Sequence, residues 1–160
     1  MAPRRDDGQA QRNRGFGWLI RDGAGWVVTY EGADQLGTLP GHLLRVDLAG
    51  GQATTWLSTP SRHQYYQLIG IDGTGAPLVT LEDADAQTST LLRVTAPGQT
   101  EQIFSGPLRA QFTTAVTDRN GTWLAGGSGQ VASQGIYLLT ESSEIRKVSD
   151  FGGLPLGPSQ

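Results

Sequence analysis

Short runs rich in Val, Ile, Leu, Thr and aromatic residues recur along the chain, separated by clusters of Gly, Asp, Asn, Ser and Pro. That punctuation predicts strands joined by tight turns. The runs fall at 16–21, 26–31, 42–47 and 53–58, then at 65–71, 77–82, 90–95 and 100–104, and finally at 111–117, 122–126, 135–140 and 144–149. No window holds the i, i+3, i+4, i+7 spacing for three turns without a glycine or proline, so no helix is predicted.

The twelve runs group into three similar units. Trp18-Leu19-Ile20-Arg21-Asp22-Gly23-Ala24-Gly25-Trp26-Val27-Val28-Thr29-Tyr30 is echoed by Gln67-Leu68-Ile69-Gly70-Ile71-Asp72-Gly73-Thr74-Gly75-Ala76-Pro77-Leu78-Val79. A third copy runs Ala115-Val116-Thr117-Asp118-Arg119-Asn120-Gly121-Thr122-Trp123-Leu124-Ala125. Asp22, Asp72 and Asp118 are spaced by 50 and 46 positions, and the phase persists through Leu43-Leu44-Arg45-Val46, Leu91-Leu92-Arg93-Val94 and Ile136-Tyr137-Leu138-Leu139. A period of this size marks a repeat architecture in which each unit is one supersecondary element. The Asp-x-x-Gly connection between the first two runs of each unit is turn chemistry. Aspartate accepts from backbone N–H groups ahead of it, and glycine adopts φ > 0 without steric cost.

Within the third unit, Asp118-Arg119-Asn120-Gly121-Thr122-Trp123-Leu124-Ala125-Gly126-Gly127 followed by Gly135-Ile136-Tyr137-Leu138-Leu139 resembles the two-component-regulator propeller repeat and its NHL relatives. His42 to Thr59 and Thr90 to Gly106 are more loosely similar to streptogramin-lyase and gluconolactonase propellers. The resemblance implies an all-β chain of three four-stranded antiparallel blades of a β-propeller over 15–153, divided at about 15–59, 60–106 and 107–153. A basic, disordered leader is expected over 1–14, and residues 154–160 read as the start of a next blade or a tail. Propellers usually carry 4–8 blades. Three are therefore an incomplete ring, or one closed by dimerisation, which makes self-association an expected partnership. A sandwich or barrel of twelve strands is the competing arrangement.

Composition narrows the chemistry. Cysteine is absent and there are only two histidines, which removes disulfides, thiolate nucleophiles and cysteine zinc sites. The 23 glycines and 8 prolines suit many turns without reaching the level of a disordered chain. Net charge is −3, with Arg4, Arg5, Arg12 and Arg14 in the leader; the remainder holds 8 basic and 13 acidic residues, which disfavours nucleic acid. No apolar run approaches the roughly 18 residues of a membrane span, and no basic-then-apolar leader follows Met1, so a soluble chain without signal peptide is expected.

In a meander of four strands A to D, the D-to-A and B-to-C loops emerge on one rim. The chemistry-bearing residues that map there are Glu31, Asp34, Glu82, Asp83 and Asp85 in or near B-to-C loops, Arg62, His63 and Arg109 in D-to-A loops, and His42 at the start of a C strand. Glu31, Asp34, His42, Arg62, His63, Glu82, Asp85 and Arg109 form the predicted ligand-binding set. Carboxylates beside imidazoles suit a polar ligand, a divalent cation or acid–base work. A calcium loop of the Asp-x-Asp-x-Asp-Gly kind is absent, so no metal set and no cofactor is assigned. The gluconolactonase resemblance implies a metal held by an acid, an asparagine and an aspartate. Asn13 and Asn120 both lie away from the rim, so that set does not carry over. No Gly-x-Ser-x-Gly elbow occurs either. The reading is a non-enzymatic recognition or sensor scaffold for a small polar ligand or a protein; the alternative is a metal-dependent lactonase or lyase. Trp26, Trp56 and Trp123 are expected to pack between blades, and Trp18, Tyr65 and Tyr66 to lie on innermost strands lining a channel.

Overall fold

Alternation and turn chemistry produce twelve strands and no helix among the described residues. A computed structural model describes residues 18–30, 41–59, 61, 63–108, 112–126 and 134–150. The first blade comprises β1 (Trp18–Arg21), β2 (Ala24–Tyr30), β3 (Gly41–Asp47) and β4 (Ala53–Ser58). β5 (Gln64–Ile71), β6 (Pro77–Asp83), β7 (Thr88–Ala96) and β8 (Gln99–Pro107) make the second; β9 (Phe112–Asp118), β10 (Gly121–Gly126), β11 (Gly135–Leu139) and β12 (Ile145–Ser149) the third. Each blade is a separate four-stranded antiparallel sheet whose strands lie side by side in chain order. No sheet among the described residues closes into a barrel. None of the described segments is a helix long and apolar enough to cross a membrane.

The inner three strands of the second blade, β5 to β7, are buried on both faces, which explains the near-continuous apolar runs at their centres, whereas β8 is largely exposed. On β6, Val79 joins Trp26, Val28, Leu43 and Leu57 of the first blade in one core, whereas Leu78 joins Phe112, Leu124 and Leu139 of the third in another. Adjacent residues serve opposite cores because strand side chains alternate. Trp26 meets Trp56 edge to face at 4.6 Å, and Phe112 sits between Phe104 and Tyr137 at 5.4 and 5.3 Å. Tyr66 is 5 % exposed within the core between the first two blades, so it packs between sheets rather than facing a channel. Side chains at positions 18 and 30 lie outside the described residues.

Two of the three A-to-B turns follow the expected rule. Asp72 Oδ1 accepts from Thr74 N at 2.8 Å and Ala76 N at 3.1 Å, and Asp118 Oδ1 accepts from Asn120 N at 2.7 Å. Gly75 and Gly121 supply the positive φ, at 86° and 134°. The first unit departs from it. There Asp22 and Gly23 carry φ of 52° and 75°, while Gly25 lies inside β2 opposite Ile20. Asp-Gly is the favoured central pair of a two-residue hairpin, and that local preference overrides the four-residue spacing.

Backbone-directed bonds join the blades. Thr117 Oγ1 donates to Ile71 O at 2.7 Å, Gly98 N to Trp56 O at 2.7 Å, and Arg21 Nη1 to Asp72 O at 3.0 Å. Thr117→Val removes the first of these together with the 2.9 Å bond between the Thr117 and Thr122 hydroxyls, and is expected to cost about 1–3 kcal/mol. A urea midpoint unchanged by the substitution would show that this tie contributes nothing.

Candidate functional site

The B-to-C loop of the second blade is shaped by Asp83. Its Oδ1 accepts from Asp85 N at 3.0 Å and Ala86 N at 2.8 Å, and its Oδ2 from Gln64 Nε2 at 2.6 Å. The Ala86 N–H and the Gln64 amide hold the Asp83 carboxyl below the usual carboxylate range. Ala84 N donates to His63 O at 3.0 Å, which fastens this loop to the preceding D-to-A loop. The fastening places His63 Nδ1 2.8 and 2.9 Å from the two oxygens of Asp85. A carboxylate only accepts, so the proton sits on Nδ1 and Nε2 is the nitrogen left to meet a ligand. Both side chains are open to water, at 54 % and 67 % exposure.

Glu82 has a different environment. Register along β6 puts Leu78, Thr80 and Glu82 on the face turned to the third blade, and Glu82 stands between Tyr65 on β5 and Ser89 on β7. That face grades from apolar to polar toward the rim. Leu78, Thr80, Glu82 and Ser89 are 0 %, 1 %, 6 % and 2 % exposed. Thr80 Oγ1 finds no hydrogen-bond partner, although a buried hydroxyl without one is costly. A carboxylate buried next to it is the strongest departure from ordinary core chemistry on this rim.

Of the predicted set, the structure therefore brings His63 and Asp85 into contact and buries Glu82 on the neighbouring strand. His42 is one blade away on β3, where Nδ1 lies 2.8 Å from Ser58 Oγ, its partner across the ladder. Glu31, Asp34, Arg62 and Arg109 lie outside the described residues. Among the described residues no three His, Asp or Glu side chains gather so as to hold a metal ion. A groove of about 670 Å³ opens between β4 and the second blade, lined by Trp56, Ser58, Tyr66, Thr90, Thr100 and Gln102 among others. None of the predicted residues lines it.

An ionic cluster escaped the sequence reading. Arg93 and Asp72, 7 % and 1 % exposed, pair through Nε and Oδ2 on the opposite rim. Arg93 Nη1 also donates to Glu101 Oε2 at 2.7 Å and to Ser143 Oγ at 2.6 Å, and Ser143 donates to Glu101 Oε1 at 2.6 Å. Burial works to raise the Asp72 pKa, but bonds from Thr74 and Arg93 outweigh it and hold the carboxyl below its ordinary value. The available signal was an arginine inside the apolar run Leu91-Leu92-Arg93-Val94. Every bond of this cluster is internal, so it locks the second blade to the third.

None of the family models, curated proteins or solved structures compared with the chain matches it.

Proposed function

We propose that the chain is a recognition scaffold whose second-blade rim binds a small polar ligand carrying hydrogen-bond donors, an amine or a polyol. The observation that carries this reading is Glu82, 6 % exposed, beside Thr80, whose hydroxyl has no partner. A donor group reaching this row gives Thr80 Oγ1 the partner it lacks and adds a bond to the Glu82 carboxylate. The nearby imidazole, oriented by Asp85, supplies Nε2 as an acceptor when neutral and as a donor when protonated.

Thermal melts against a panel of small amines and polyols test the reading, with Glu82→Gln as the near-isosteric control. A ligand at a hundred times its Kd is expected to stabilise the wild type by about 2.7 kcal/mol, and Glu82→Gln to abolish the effect. Glu82→Leu is expected to stabilise the free protein, because it removes a buried carboxylate, and to abolish ligand response. The proposal fails if no compound shifts the melt, or if the shift survives in Glu82→Gln.

A further inference from the structure

Cross-strand register lets the three blades be matched residue for residue. Val27 pairs with Leu44 in the first, Val79 with Leu92 in the second, and Leu124 with Tyr137 in the third. Two positions further along the third strand of each blade stand Val46, Val94 and Leu139. In the second blade this trio, Val79, Leu92 and Val94, packs on Trp26, Val28 and Leu43 of the first. The matching trio of the third, Leu124, Tyr137 and Leu139, packs on Leu78 and Leu91 of the second. One face of each blade is thus a socket for the blade before it. In the first blade the same trio, Val27, Leu44 and Val46, faces outward and is only half-buried. Ile20 and Leu48 beside it are 57 % and 48 % exposed.

The opposite face is the complement. Trp26, Leu78 and Trp123 occupy one equivalent position, opposite Arg45, Arg93 and Leu138. Trp26 and Leu78 are 4 % and 0 % exposed because the next blade covers them. Thr122 and Leu124 turn toward the second blade, so Trp123 between them turns away from it and remains half-buried. A tryptophan at the position that docks in the first blade is therefore left outward on the third, and the socket that would take it is left outward on the first.

We propose that a second copy of the chain covers both faces, with Trp123 of each copy seated on Val27, Leu44 and Val46 of the other. This contact continues the two interfaces within the chain and places no charge among the four matched side chains. Rings of blades usually hold 4–8, and two copies of the three described blades fall within that range. The contact is head-to-tail and closes because it is made twice about one two-fold axis. It stands independently of the ligand reading above.

Light scattering during size exclusion of the full chain gives the test. A folded species of twice the chain mass is expected, and Trp123→Glu or Val46→Glu alone should reduce it to the single-chain mass with unchanged far-UV circular dichroism. Mixing the two variants should restore association, because the intact Trp123 of one meets the intact socket of the other. An unfolded variant cannot give that restoration. A wild type that melts cooperatively as a monomer overturns the proposal, as do open-ended assemblies and a variant mixture that stays monomeric.

Discussion

Asp72→Ala is expected to destabilise the fold by about 3–5 kcal/mol, the cost of removing one partner from a buried ion pair and leaving the other uncompensated. Arg93 is 7 % exposed, and of its acceptors Glu101 stands nearer to water than Asp72 does. The alanine also strips the turn of its acceptor for Thr74 and Ala76, so the loss spreads into the β5–β6 hairpin. Urea denaturation at neutral pH measures this directly, and a loss below about 1 kcal/mol would place the pair in the class of weak ion pairs.

A pH dependence follows from the same geometry. The folded pKa of Asp72 lies below its unfolded value, so its stabilisation is complete above roughly pH 4 and is lost as pH falls through the folded value. Glu101 is displaced in the same direction by its bonds from Ser143 and Arg93. Wild-type stability should therefore hold from neutrality down to about pH 5 and decline below pH 4. Asp72→Asn should start lower and lose less over that interval, because it has no carboxylate there to protonate. Parallel pH profiles for the two proteins would contradict the assignment.

Much of the scaffold was legible because two strong local signals agree. Short runs of β-branched, leucine and aromatic residues and Gly/Asp punctuation place all twelve strands, and mutual support of this kind is what makes a repeat readable. β7 and β8 extend beyond the apolar runs, to Thr88–Ala96 and Gln99–Pro107, because Thr, Ser and Gln pair in a ladder without contributing hydrophobic pattern. The rim was legible as topology: His63 and Asp85, 22 positions apart, belong to loops that a meander brings to one end. Their pairing depends on Asp83 setting the loop, and no periodicity encodes that. Glu82 reads from the sequence only as one of the ligand-binding carboxylates in or near the B-to-C loop with Asp83 and Asp85. Its burial arises only when β6 is covered by the third blade. Trp26 and Trp123 looked alike in sequence, yet one is enclosed and the other faces outward, since enclosure depends on the neighbouring sheet.

That neighbour contact is most vulnerable at Gly70. A Cβ there would lie 2.5 Å from Ala115 Cβ and 2.6 Å from Ala115 O, closer than such atoms approach. The pairing of β5 with β6 slips between Leu68 and Gly70, and the resulting irregularity brings β5 against β9 of the third blade. Only a residue without a side chain allows that approach. Gly70→Ala is expected to cost about 3 kcal/mol, the upper end of ordinary overpacking, because one of the atoms it meets is a backbone oxygen. Gly70→Val should cost more. Ala115→Gly combined with Gly70→Ala removes the contact between methyl groups but leaves the carbonyl, so the double variant should recover part of the loss relative to the sum of the two single changes. Additive single effects would mean that the two strands are not in contact at this point. Since β5 and β9 set the spacing of the second and third blades, Gly70→Ala should also open the face holding Thr80 and Glu82. Ligand response at the rim should then weaken together with stability, whereas Asp72→Asn, on the opposite rim, should lower stability with less effect on that response.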